Sequence, residues 1–195
     1  MPALMALALL VLIAGLGDSG LLTATHLARR RDLEVMGIST KPGLVSGQEL
    51  GMRLAQPERW ARDYRIPFDA FRRLDGVRTV HGELAGLDLA AREVRLRTAG
   101  GSDAVEPWDV LVISTGVTNG FWRRPGLQSD DEVGAELSAT HERLASADSI
   151  LVVGGGAAAV GSALQLARRW PDRTVTLAFP GERALAQHHR RVWSH

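Results

Sequence analysis

Cysteine is absent from the 195-residue chain, and that one absence removes disulfide scaffolds, thiolate metal sites and catalytic thiols together. Aromatic residues are sparse, at 5% with a single tyrosine, and the charges nearly cancel to a formal +1. No basic face with interleaved aromatics is present, so nucleic-acid binding is not expected. The two basic clusters, Arg29-Arg30-Arg31 and His188-His189-Arg190-Arg191, read as solvated helix ends, where cations offset the negative end of the helix dipole. The histidines have no cysteine partner and no His-Glu pattern at ligand spacing, so no metal site is expected either.

Long hydrophobic runs are missing too. Met1 to Ala14 is apolar, yet it is shorter than the roughly 20 residues that span a bilayer. It also lacks a basic n-region and a cleavage site, and runs straight into a glycine loop. The expectation is a few loose residues and then a buried parallel strand, in a protein of a reducing, cytoplasmic compartment; membrane association is not legible.

Glycine loops are what the chain does have. The first is Gly15-Leu16-Gly17-Asp18-Ser19-Gly20, entered from the apolar run Leu9 to Ala14; the second is Gly154-Gly155-Gly156-Ala157-Ala158-Ala159, entered from Ile150 to Val153. Each opens a helical pattern, so its glycines can turn tightly, let the backbone approach a pyrophosphate and pack helix on strand. One such loop is a weak signal; two suggest one chain built to hold two dinucleotides. The tetrapeptide Gly17-Asp18-Ser19-Gly20 also occurs around the nucleophile of trypsin-like proteases, but here a strand precedes it and a helix follows, which excludes that context.

Periodicity orders the rest. A strand Val11 to Ala14 leads to a helix from about Asp18 to Arg31 with Leu21, Ala24, Leu27 and Ala28 inward, then a strand Leu33 to Ile38. Helical pieces follow around Glu49–Leu54, Glu58–Asp63 and Phe68–Arg73, broken by Pro57 and Pro67. Trp60, Tyr64, Phe68 and Phe71 in this stretch read as core. Strand periods then run through Val77–His81, Leu84–Leu87, Val94–Leu96 and Val105–Trp108. The run Val110-Leu111-Val112-Ile113 reads as a strand buried on both faces. After an acidic linker at Asp130-Asp131-Glu132 come a polar helix around Glu136–Ala147, the strand Ile150–Val153, a helix Ala157–Arg169 with Val160, Ala163, Leu164 and Ala167 inward, and a strand Thr174–Phe179. The fold class is α/β.

This order resembles the two-dinucleotide-binding-domain flavoproteins, the pyridine nucleotide-disulfide oxidoreductase superfamily, and within it the type II NADH dehydrogenase and apoptosis-inducing-factor-like branch. The resemblance rests on the first loop, on His81-Gly82-Glu83-Leu84 before a β-meander, on Trp108 to Gly116, and on Val152 to Gly156 followed by Val175-Thr176-Leu177. It implies a Rossmann-like FAD-binding domain with β-meander over 1–125, lacking its C-terminal return segment, and the opening βαβ of an NAD(P)-binding domain over 126–195. The same resemblance places Gly15, Gly17, Ser19 and Gly20 under the FAD pyrophosphate, Leu84 against the adenine through its backbone, and Thr115 and Gly116 beside the flavin. It places NADH or NADPH on Gly154, Gly156, Ala157 and Ala159. Hydride would pass from NAD(P)H to flavin and then to a small-molecule or protein acceptor such as a quinone, with homodimers among full-length relatives. No catalytic acid-base residue is implied, since the cofactors carry the chemistry.

Departures from that pattern shape the expectations. The acidic residue that ends the second strand in such proteins is replaced by Ser39, followed by Thr40 and Lys41. Asp18 adds a negative charge beside the expected pyrophosphate unless it turns to solvent or caps its helix. In the second unit the acidic position falls near Phe179, with Arg183 close by, and a glutamate common in relatives is replaced by Gly161. The absence of cysteine removes the disulfide-reductase branch. The chain also stops well short of such enzymes, so the reading is a fragment, and the alternative is a non-catalytic dinucleotide-binding module without turnover.

Overall fold

A computed structural model describes residues 8–117 and 124–187. The elements run β1 (Leu9–Ala14), α1 (Asp18–Leu27), β2 (Leu33–Ser39), β3 (Gly43–Val45), α2 (Leu50–Ala55), α3 (Pro57–Tyr64), β4 (Arg65–Pro67), β5 (Val77–Asp88), β6 (Glu93–Thr98), β7 (Asp103–Pro107), β8 (Val110–Ile113), α4 (Asp130–Ala145), β9 (Ser149–Val153), α5 (Ala157–Arg169) and β10 (Thr174–Ala178). Short 3₁₀ turns occupy Phe68–Ala70 and Arg72–Leu74. They form two compact units, one of the described residues as far as Ser46 with Arg65–Val133, the other of Gly47–Tyr64 with the described residues from Gly134 on.

The first unit is built on a six-stranded sheet in the order β7-β6-β5-β2-β1-β8. β1 lies parallel between β2 and β8, Leu12 opposite Met36 on one side and Leu111 on the other. Such a strand is buried on both faces, which is why it reads as an unbroken apolar run: Val11, Leu12, Ile13 and Ala14 are all buried. Successive side chains of β1 alternate between two cores. Val11 and Ile13 pack with Leu21 and Ala24 of α1, with Leu27 and Ala28 partly buried beside them. Leu12 and Ala14 pack with Met36, Val94 and Leu96 beneath the antiparallel β5–β6–β7 meander.

Three expectations about this unit need revision. The run Val110–Ile113, expected to be buried on both faces, is β8, which among the described residues is at the edge of the sheet, paired with β1 alone and with Val110 and Ile113 exposed. Val77–His81 and Leu84–Leu87 are one strand, β5, because Gly82 stays in register opposite Thr98 and the break comes only as a bulge between Leu84 and Gly86. The helix expected to reach Arg31 ends at Leu27, and Arg30 pairs instead with Asp32 at the exposed turn. The cluster at His188–Arg191 lies outside the described residues.

The second unit holds the parallel pair β9 and β10, Ile150 opposite Val175, with α5 between them in sequence and α2 against α5. Leu54, Ala55, Ile150 and Leu166 form its core, with Trp170 and Val175 packed on it. Helix α5 spans the expected residues but buries a different stripe: Ser162 and Leu166 are inside, whereas Leu164 is exposed. The reason lies in the small residues. A Cβ at Gly51 of α2 would come 2.7 Å from the Gly161 carbonyl oxygen, so α2 approaches α5 on the Gly161–Ser162 side and turns the helix accordingly. Trp60 is fully buried, donates its indole N–H to the Gln48 carbonyl at 2.9 Å and stacks on Tyr64; in the first unit Phe68 is buried and Phe71 partly so. The aromatics are core, as expected.

The acidic Asp130-Asp131-Glu132 is the first turn of α4 and not a linker. Ser129 and Glu132 form a reciprocal capping box: the Ser129 N–H donates to Glu132 Oε2 at 2.7 Å and the Glu132 N–H to Ser129 Oγ at 3.2 Å. The Ser129 backbone N–H, then its hydroxyl, hold the Glu132 carboxyl below the usual range. Among the described residues no helix is long and apolar enough to cross a membrane.

Candidate functional site

The two glycine loops sit at equivalent places in their units. β1 delivers the chain into the first loop with Gly15 at φ 104°, and β9 delivers it into the second with Gly154 at φ 135°. Both values fall where a side chain is strained and glycine is not. The Gly15 N–H donates to the Ile38 carbonyl at 2.9 Å and the Gly154 N–H to the Ala178 carbonyl at 2.8 Å, so each loop hangs from the end of the neighbouring parallel strand. Each helix then begins on its second glycine: Leu21 N–H donates to the Gly17 carbonyl and Val160 N–H to the Gly156 carbonyl.

The three glycine positions of the first loop have three separate duties. A Cβ at Gly15 would overlap the Ser114 carbonyl oxygen, so the loop presses against the end of β8. A Cβ at Gly20 would overlap the Gly15 carbonyl oxygen, so helix and loop pack backbone to backbone. Gly17 has nothing within 4 Å of its missing side chain. That is the open cradle, over the first N–H groups of α1, which have no carbonyl four residues behind them. In the second loop Gly156 is similarly open, with only the Gln187 amide nitrogen at 4.0 Å, and Ala159 takes the third position with its Cβ 3.3 Å from that of a side chain built at Gly154. Gly155 is covered by Phe179, whose Cβ would lie 3.1 Å away, and the Leu185 N–H donates to the Gly155 carbonyl at 2.6 Å.

Polar groups converge at the carboxyl end of β2, where Ser39 lies opposite His81 of β5. Ser39 is buried and its Oγ accepts the Lys41 N–H at 3.1 Å. The Lys41 ammonium donates to the carbonyls of Gly126, at 2.7 Å, and Arg124, at 3.0 Å. The Gln128 N–H donates to the Thr40 carbonyl at 2.9 Å. His81 Nε2 faces the carbonyls of Gln128 and Thr40 at 3.1 and 3.3 Å, two acceptors that require the proton on that nitrogen. Residues 124–128 are thus stitched across the end of β2, where the chain offers a hydroxyl and an ammonium in place of a carboxylate.

The remaining residues singled out by sequence fall as follows. Ser19 lies exposed in the first turn of α1, its carbonyl accepting the Thr23 hydroxyl. Leu84 pairs with Leu96 at the bulge of β5 and its side chain packs on the meander core. Thr115 and Gly116, the latter at φ 75°, follow β8, where Ser114 N–H donates to the Ala14 carbonyl at 2.7 Å. Ala157 is the first residue of α5. Gly161 and Arg183 are exposed. Asp18 neither caps its helix nor turns to solvent: the N-cap is Gly17, without a side-chain bond, and the carboxylate accepts the Ser46 hydroxyl at 2.6 Å. Nothing in the local sequence marks that pairing of residues 28 apart, nor the stitch of 124–128 onto Lys41 and His81.

No family model matches the chain, and no curated protein sequence matches it. Solved structures do. An engineered water-forming NADPH oxidase bound to NADPH, a mutant of the Lactobacillus brevis enzyme, superimposes with a TM-score of 0.71 over 95% of this chain and 42% of its own, at 19% identity. NDH2 from Plasmodium falciparum gives 0.66 over 94% of this chain and 44% of its own, at 11% identity. A pyridine nucleotide-disulfide family oxidoreductase from Enterococcus faecalis gives 0.58 over 87% and 36%, at 15% identity. The chain therefore has the fold expected from the resemblance, and it spans less than half the length of each of these structures.

Proposed function

We propose that this chain is the nucleotide-binding part of a flavoprotein oxidoreductase, with FAD on the first glycine loop and NADH or NADPH on the second. The observation that carries the reading is the repeated cradle: two strand exits at positive φ, two open second glycines, and two helices starting behind them in a fold shared with NAD(P)H-dependent oxidoreductases. A pyrophosphate fits there because the exposed N–H groups and the positive end of the helix dipole both favour an anion. When bound, the flavin would supply the two-electron chemistry, taking hydride from reduced nicotinamide and passing the electrons to a small-molecule or protein acceptor. The chain's own part is to bind and orient.

In this reading Gly17 admits the FAD pyrophosphate while Gly15 and Gly20 keep α1 close to the sheet. Ser39 and Lys41 form the adenosine corner, Leu84 meets the adenine through its backbone, and Thr115 and Gly116 border the flavin. Gly154, Gly156, Ala157 and Ala159 receive the nicotinamide dinucleotide. The domains are then the FAD-binding part over 1–125 and the opening of the NAD(P)-binding part over 126–195. A second reading, a dinucleotide-binding module without turnover, is favoured by the exposed Gly161 in place of a glutamate and by the absent carboxylate at Ser39.

The visible spectrum separates the two. After incubation with FAD and gel filtration, retained flavin bands that bleach on anaerobic addition of NADH or NADPH support the oxidoreductase. Nicotinamide dinucleotide binding with no retained flavin supports the module.

A further inference from the structure

The first loop carries a charge that opposes its proposed ligand. Asp18 is the first residue of α1, one position after the open Gly17, so its carboxylate competes for the positive end of the same helix that a pyrophosphate would use. A carboxylate free to fold back over the loop would be an intramolecular rival to a bound anion. It is not free. Ser46, only 3% exposed, donates its hydroxyl to Asp18 Oδ1 at 2.6 Å. Ser46 follows β3, which is fixed by its antiparallel pairing with β4, Leu44 opposite Ile66. Leu44 in turn is buried in the core beneath α1. The hydroxyl therefore comes from a backbone held in place by strand pairing and by the core that it shares with Leu16 and Leu21.

We infer that Ser46 is a positioning residue for anion binding at the first glycine loop: it holds the Asp18 carboxylate off the loop's N–H groups, so that the loop can take a dinucleotide despite the acid inside it. The inference rests on the proposed use of that loop. It also accounts for a buried serine in a short strand-exit segment that no feature of the dinucleotide motif requires.

The test is a double-mutant cycle on the intact chain, with ADP and FAD as titrants followed by calorimetry. Wild type should bind both. Ser46→Ala should weaken ADP and FAD about tenfold, because the carboxylate loses the hydroxyl that draws it away from the loop. Asp18→Asn should bind at least as tightly as wild type. The double variant Asp18→Asn/Ser46→Ala should match Asp18→Asn, since without the charge there is nothing to hold. Ser46→Thr, which keeps the hydroxyl, should restore wild-type affinity. The inference is overturned if Ser46→Ala binds like wild type, or if Asp18→Asn weakens binding as much as Ser46→Ala does. The latter would mean that the hydrogen bond is only structural. Should wild type bind neither ADP nor FAD, the proposed function of the loop falls and takes this inference with it, an outcome that the wild-type titration alone identifies. Thermal denaturation of each unliganded variant shows whether the fold is retained, and loss of binding counts only for variants that keep it.

Discussion

The two glycine loops share their backbone design but not their surroundings. Gly15 and Gly154 both leave a strand at positive φ, both donate to the end of the neighbouring strand, and both lead to an open second glycine. The strands that feed them differ. β1 lies between two parallel neighbours with Leu12 and Ile13 fully buried; among the described residues β9 has one neighbour, and Leu151 and Val153 are 63% and 76% exposed on its second face. The third position differs as well: Gly20 touches the Gly15 carbonyl backbone to backbone, while the second unit tolerates Ala159. A glycine loop of this geometry is thus specified by a few local residues, and how much sheet stands behind it is a separate matter.

The largest test of that contrast is in the strands. Leu12→Ala in β1 should destabilise the chain by about 2–5 kcal/mol, through lost burial and the cavity left behind. Leu151→Ala in β9 should stay within about 0.5 kcal/mol, as for other exposed positions. Chemical denaturation of the two variants checks this, and equal losses would mean that β9 is covered in solution.

The next test is at the third loop position. Gly20→Ala must push the Gly15 carbonyl aside and should cost about 3 kcal/mol together with FAD retention. Ala159→Gly only loosens a helix start and should cost about 1 kcal/mol, with NADH affinity little changed. Thermal melts and dinucleotide titrations on the same samples measure both.

The smallest effect is electrostatic. Because the Ser129 backbone N–H and hydroxyl depress the Glu132 carboxyl when folded, its contribution is present above the ordinary glutamate range and is lost as pH falls through the lowered folded value. Glu132→Gln should therefore flatten the acid limb of the stability profile while leaving neutral pH nearly unchanged. A variant whose acid limb matches wild type would contradict the capping box.

Much of this was legible in the sequence because it is local. The apolar entry strands, the loop glycines, the start of α1 and the span of α5 follow from runs and periods that need no tertiary information, and the order of motifs was enough to recognise the fold. What was not legible is long-range. The buried stripe of α5 depends on how α2 docks at Gly51 and Gly161, and a hydrophobic pattern with leucine at 164 and 166 fits either side. Asp130–Glu132 looked like a charged linker because a capping box and an acidic loop share a composition. The Asp18–Ser46 bond and the Lys41 stitch to residues 124–126 join segments that no local pattern relates.

The central claim is that each loop holds its own dinucleotide. Gly17 and Gly156 test it most directly, since both face open space at ordinary backbone angles, φ −73° and −84°, and a valine there should fill the cradle without disturbing the fold. Calorimetric titration of FAD and NADH into Gly17→Val and Gly156→Val should show FAD binding lost only in the first and NADH binding lost only in the second, with melting temperatures unchanged. Loss of both ligands in either variant, or of neither in both, would contradict the account.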